Sequence, residues 1–212
     1  MQRRDRQAGS GSLRALLLFA LGVAPLLSGC ESQARQDPIY VRNSTDALVF
    51  KDTELFRDRP LDDSLRGSLA LTDYTVVLER TGLLTVMQRP GPFTVFAIPN
   101  QPLEELKARD PHLLDPATLP ALRRTMSYTI VPGAFPENRL RRMLAKAGGP
   151  IGLRTLDGDL LGVSIEPGSN QLLLSDPSGQ RTRLWLSNMP QSNGRLFVTQ
   201  SMLTPTQAVA AR

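Results

Sequence analysis

The hydrophobic period of this chain changes near residue 150, and that change limits the folds open to it. Before it, apolar residues recur at helical spacing around one early run that is apolar on both faces. After it they alternate, punctuated by turn signals. Ile151 to Leu156 and Leu160 to Ile165 flank Asp157-Gly158, a strong hairpin signal. Pro167-Gly168, Asp176-Pro177 and Ser178-Gly179 separate further strands at 171–175 and 181–187, and Asn193-Gly194 precedes a last one, Arg195 to Gln200. Helices around one early strand, then a β-rich half, predict an α+β domain without βαβ repetition.

Within the first half, Leu61, Leu65 and Leu69 are spaced by four, and Leu71, Tyr74, Val77 and Leu78 continue an apolar face through a second helical piece. Thr72 or Asp73 is placed to cap that piece, and Gly82 to end it. After a turn at Gly91-Pro92, Phe93 to Ile98 reads as a central buried strand, stopped by Pro99. Asn100 is positioned to cap the next helix, with Leu103 and Leu106 inward and Glu104 and Lys107 toward water. Leu119, Leu122 and Met126 mark another short helix. Ser127 to Val131 reads as a strand closed by Pro132-Gly133, and Asn138 opens a helix through Lys146 that Gly148-Gly149 stops.

The amino-terminal segment sets location rather than fold. Arg3, Arg4, Arg6 and Arg14 precede an apolar run from Ala15 to Leu27, and Leu27-Ser28-Gly29-Cys30 closes it. The arrangement reads as a secretory signal. A membrane span needs about twenty apolar residues, and this run stops short. Its ending resembles a bacterial lipobox, which implies cleavage before Cys30 and a diacylglycerol on its thiol. Cys30 is the sole cysteine and has no disulfide partner within the chain; an uncleaved anchor and an ordinary signal that leaves it a free thiol are the alternatives. One polypeptide with several acyl groups has a stable anchor, each buried methylene contributing about 0.8 kcal/mol. The expected organisation is a signal peptide over 1–29, a lipidated cysteine, tether and edge segment over 30–59, a domain over 60–205 and a tail over 206–212. Within 46–59, Leu48, Val49, Leu55 and Phe56 suit either a short strand or docking on the domain edge.

The net charge of +5 overstates the basicity of the mature chain. Residues 1–29 hold four Arg and one Asp, or +3, leaving 21 basic and 19 acidic side chains, or +2. That balance is too mild to argue for nucleic acid. One His and one Cys make no zinc-type cluster. His112 lies in a Pro-flanked loop, and Ser127, Ser187 and Ser201 lack a nucleophile-elbow context. Gly148 to Gly152 lacks the Lys-Ser/Thr of a phosphate loop. No catalytic residue, metal or small-molecule cofactor is assigned.

Gly91-Pro-Phe-Thr-Val-Phe-Ala-Ile-Pro-Asn100, Met126-Ser-Tyr-Thr-Ile-Val-Pro-Gly133 and the stretch from Asn193-Gly-Arg-Leu-Phe-Val to Pro205 resemble the three signatures of fasciclin-type (FAS1) domains. Glu79-Arg-Thr-Gly-Leu83 sits where that family ends its first long helix. The resemblance spans about residues 60–205 and implies a twisted β-wedge or sandwich with several short helices packed at one side. It also implies a binding and adhesion module, usually extracellular and often membrane-tethered, without catalysis or cofactor. Its motif positions here, mainly structural, are Asn100, Tyr128, Thr129, Pro132 and Gly133. Thr129 stands where the family usually carries His; it reaches less far and does not titrate near neutral pH. Ala97-Ile98-Pro99-Asn100 stands where the family usually reads Ala-Pro-Thr-Asn.

Tyr128 reads as a core residue with a satisfied hydroxyl, the alternative being a ligand-facing site. Trp185 suits a core or partly exposed strand position. Arg123, Arg124, Arg139, Arg141 and Arg142 form the densest basic group. Of these, Arg123, Arg124, Arg139 and Arg142 are candidate contacts for anionic headgroups or acidic glycan, weighed against the polar faces of two short helices. The expected role is a membrane-tethered extracytoplasmic binding module that recognises an envelope protein or glycan, with no nucleic acid partner. An envelope assembly or secretion accessory and, last, an enzyme on the same scaffold are the alternatives. Glu31, not Asp, follows the cysteine, which favours the outer membrane.

Overall fold

The computed structural model describes residues 59–206. Cys30, the leader and the tether and edge segment up to residue 58 lie outside them, as does the tail beyond Thr206. Seven strands form one mixed sheet: β1 (Phe93–Ala97), β2 (Ile130–Pro132), β3 (Ile151–Arg154), β4 (Leu160–Ile165), β5 (Leu172–Ser175), β6 (Arg181–Gln191) and β7 (Gly194–Thr199). Their order is β2-β1-β7-β6-β5-β4-β3. Every neighbouring pair is antiparallel except β1 and β7, which run parallel with Val95 opposite Leu196 and Ala97 opposite Val198. Register shifts in β6 around Leu186 bend the sheet there. The Leu156 amide donates to the Ile130 carbonyl at 2.7 Å, bringing the segment after β3 back to β2. The architecture is the expected α+β wedge, nearly closed, with short helices.

Alternation along β1 and β7 feeds two cores. Val95, Ala97, Leu196 and Val198 join a helical core with Leu61, Leu65, Tyr74, Leu78 and Met126. Phe96 and Phe197 point the other way, stacked at 5.1 Å between centroids, into a core with Tyr128, Leu140, Leu161, Val163 and Leu174. This two-sided burial is why the segment carries no polar face. Thr94, the buried exception, donates its hydroxyl to the Gly133 carbonyl at 2.7 Å and accepts the Phe135 amide at 2.9 Å.

The helices are α1 (Leu61–Arg66), α2 (Thr72–Arg80), α3 (Leu84–Met87), α4 (Asn100–Arg109), α5 (Leu119–Ser127) and α6 (Glu137–Ala147). Several differ from the sequence expectation. The four-residue spacing groups Leu69 with Leu61 and Leu65, but a 3-10 turn over Leu69–Leu71 breaks the phase after Gly67, and Leu69 is 81% exposed. Neither Thr72 nor Asp73 caps α2; the Thr72 hydroxyl turns back to the Leu69 carbonyl at 3.0 Å. Gly82 (φ 70°) does end that stretch. The short helix α3 was not anticipated. Lys107 is half-buried, paired with Asp73 instead of facing water.

The strand expected from Ser127 begins only at Ile130. Ser127 closes α5, and the Thr129 amide donates to the Met126 carbonyl at 3.0 Å, keeping Tyr128 in helical geometry. Helix α6 starts at Glu137 behind Pro136, one residue before Asn138, and ends at Gly148 with φ 65°. Strand β6 runs on to Gln191 rather than stopping at 187.

Candidate functional site

The motif positions lie around the first turns of α2 and the ends of β1 and β2, and they are used internally. Asn100 does not cap its own helix; Pro99 occupies that position without a side-chain bond. Its Oδ1 instead accepts the Asp73 amide at 3.0 Å, and its Nδ2 donates to the Leu69 carbonyl at 2.8 Å. One side chain thereby satisfies an orphan donor of α2 and an acceptor of the preceding 3-10 turn. Thr129 is buried and its hydroxyl lies 2.5 Å from that of Tyr74, and it donates to the Met126 carbonyl at 2.7 Å. With Thr129 engaged in that donation, Tyr74 is the donor of the pair. Burial pushes the Tyr74 hydroxyl far up, partly opposed by the bond to Thr129, so it stays a neutral donor.

Tyr128 is 1% exposed and donates to the Leu160 carbonyl at 3.0 Å, which ties the end of α5 to the first residue of β4. Burial, then the charges of Asp176, Asp157 and Asp159, raise its hydroxyl as well. Pro132 is exposed and pairs with Phe93 at the sheet edge. Gly133 needs its lack of a side chain: φ is 109°, and a Cβ there would lie 2.9 Å from Phe135 Cε2. Thr129 and Tyr128 also border a recess of about 10 Å³, with Phe96, Ile98, Thr199 and Leu203 among its other walls, which is room for about one water. His112 is not part of it; its Nδ1 pairs with Asp115 at 2.8 Å on an exposed loop.

Two further residues hold the site together: Asn193, which the sequence marks only as a turn position, and Gln191, which it does not mark. Asn193 accepts the Leu61 amide at 2.9 Å, donates to the Met87 carbonyl at 2.6 Å, and offers its own carbonyl to the Phe93 amide at 3.0 Å. Gln191 accepts from the buried Ser64 hydroxyl. The signal available in sequence was the Asn-Gly pair: a Cβ on Gly194 would meet the Phe93 carbonyl oxygen at 2.1 Å. Only glycine permits that approach of β7 to β1.

The basic residues do not form one patch. Arg123 donates to the Thr81 carbonyl. Arg124 lies 3.3 Å from Asp159 and 3.7 Å from Asp157. Arg139 donates to the Ala134 carbonyl at 2.7 Å and sits 4.5 Å over the Phe135 ring. Arg141 pairs with Glu137, and Arg142 is exposed on α6. Beyond Leu144, a groove of about 320 Å³ opens between the end of α6 and Ile165 of β4. Trp185 is half-buried against the helical core. Among the described residues no three His, Cys, Asp or Glu side chains gather as a metal site, and no helix is long and apolar enough to cross a membrane.

Buried hydroxyls and amides stitch short helices to a two-sided sheet, and together they define an α+β wedge. The chain belongs to the fasciclin domain family, whose model matches residues 69–205. It is 27% identical over 141 residues to mouse stabilin-1, covering 66% of this chain and 5% of that protein. Its fold is similar to that of a FAS1 domain pair from the insect cell adhesion molecule fasciclin I, with a TM-score of 0.55, 10% identity, and coverage of 68% of this chain and 50% of the other.

Proposed function

We propose that this protein is an extracytoplasmic binding module held at a membrane by an acylated Cys30, recognising another envelope protein or a glycan. The observation that carries the reading is a fasciclin domain over residues 69–205 behind a leader that ends in Leu-Ser-Gly-Cys. Glu31 after the cysteine favours the outer membrane. The internal use of Asn100, Tyr128 and Thr129 turns recognition outward, to the surface of the helices and the sheet.

The tether is tested by labelling cells with a fatty-acid probe. Wild-type protein takes up the label and partitions with membranes. Cys30→Ala stays an unlabelled precursor, and continued labelling of that variant overturns the tether. The binding role is tested by deleting the gene. Reduced surface attachment supports it; unchanged attachment with altered envelope assembly favours the accessory role instead.

A further inference from the structure

Asn193 is the only asparagine in the chain that precedes a glycine. That pairing has a chemistry of its own. A backbone nitrogen can attack the side-chain amide carbon of the residue before it, and a following residue without a Cβ hinders that attack least. Gly194 cannot be exchanged for a slower neighbour: a Cβ there would run into the Phe93 carbonyl oxygen and lie 2.8 Å from Leu61 Cδ1. The close approach of β7 to β1 and the reactivity of Asn193 therefore share one cause.

In the closed domain the side chain is held away from that reaction. Its Oδ1 accepts the Leu61 amide at 2.9 Å and its Nδ2 donates to the Met87 carbonyl at 2.6 Å, which fixes the plane of the amide between two helices. The hairpin backbone is pinned as well. The Ser192 amide donates to the Arg59 carbonyl and the Phe93 amide to the Asn193 carbonyl, each at 3.0 Å. Asn193 is half-buried and Gly194 buried. Ring closure needs the side chain to swing onto the Gly194 nitrogen, so both tertiary bonds must break first. Their other ends lie on α1, of six residues, and α3, of four. Helices that short are held by packing rather than by their own stability, and such elements open before a whole domain does.

We infer that Asn193 is a deamidation site gated by the docking of α1 and α3 on the β6–β7 hairpin. When the gate opens, base removes the Gly194 amide proton and the nitrogen bonds to Asn193 Cγ. The Cγ–Nδ2 bond breaks and ammonia leaves with a proton, giving a cyclic imide. Water opens that ring at either carbonyl and yields aspartate or isoaspartate; overall, one water replaces one ammonia. Neither product rebuilds the joint. An ionised aspartate has no hydrogen to donate to the Met87 carbonyl. Isoaspartate puts an extra methylene into the main chain where Gly194 packs closely on Phe93. The change runs one way, so loss accumulates with the time the joint spends open.

The test is incubation of the full chain in mildly alkaline buffer, followed by peptide mapping that separates asparagine, aspartate and isoaspartate at residue 193. In urea above the unfolding midpoint both products should form, and Gly194→Ala should slow them. The folded chain should react at least roughly tenfold more slowly than the unfolded one, because the rate follows the open population. Leu61→Ala, which loosens α1, should raise the folded rate; Leu174→Ala, the same truncation in the other core, should raise it less. If these variants fail to fold, Leu61→Val and Leu174→Val carry the same expectation. Asn193→Asp should melt below wild type. Equal rates in the folded and unfolded chains overturn the gate. Equal acceleration by the two leucine variants does so too, since global unfolding would then expose the site. Aspartate without isoaspartate in urea means direct hydrolysis and overturns the imide route. An Asn193→Asp chain as stable as wild type overturns the claim that the product leaves the joint open.

Discussion

The hydroxyls of Tyr74 and Thr129 meet at 2.5 Å between the first long helix and the turn that enters β2. Both side chains are buried, so each is the other's substitute for water. Thr129→Val keeps the shape and leaves Tyr74 without its acceptor. An orphaned buried hydroxyl costs about 1–3 kcal/mol, which urea denaturation should register as a lower midpoint. Adding Tyr74→Phe should restore much of the loss, because both polar groups are then gone. A Thr129→Val variant as stable as wild type would sink this account of the pair.

Asn100→Ala removes the acceptor for the Asp73 amide and the donor for the Leu69 carbonyl. The expected cost is about 1–2 kcal/mol, the range for losing a helix cap, seen as a drop in thermal midpoint. Asn100→Asp keeps the acceptor and loses the donor, so it should fall between. Equal stability of the alanine and aspartate variants would show that the α2 cap contributes nothing.

Phe96→Asp should abolish folding. Phe96 is 2% exposed and stacked on Phe197, so the carboxylate would have neither water nor a partner. A soluble variant with a native melting curve would contradict the buried placement of β1.

Asp176 sets an expectation for acid. Burial alone would raise its carboxyl, but hydrogen bonds from Ser178, Thr204 and Gln180 outweigh that and hold it below the usual carboxylate range. A depressed folded-state pKa gives stability that is present above the unfolded value and lost as pH falls through the folded one, here below about pH 4. Asp176→Asn should lower stability at neutral pH and make the acid limb shallower. An unchanged limb would mean other carboxylates carry the acid transition.

Local rules found the elements whose causes are local. Phe93–Ile98 declared itself because both faces are covered, and Asp157-Gly158 because a tight turn needs that pair. Gly82 and Gly148 marked helix ends through backbone geometry that glycine alone adopts readily. What escaped has distant causes. The side-chain partners of Asn100 lie 27 and 31 residues back, and those of Asn193 lie 106 and 132 residues back. No spacing rule reaches that far. Leu69 kept the four-residue rhythm of its neighbours, yet a 3-10 turn rotated it out. Of the basic group, the charges were legible but the split was not: Arg123 and Arg124 look as free in sequence as Arg142, and only packing shows which of them is engaged.

The parallel seam between β1 and β7 joins the earliest strand of the described domain to its latest. A polypeptide emerging amino end first must therefore wait, with its central slot unfilled, until Gly194–Thr199 arrives to occupy it. Shortening the chain ahead of residue 194 would leave β1 and β6 without the strand that joins them.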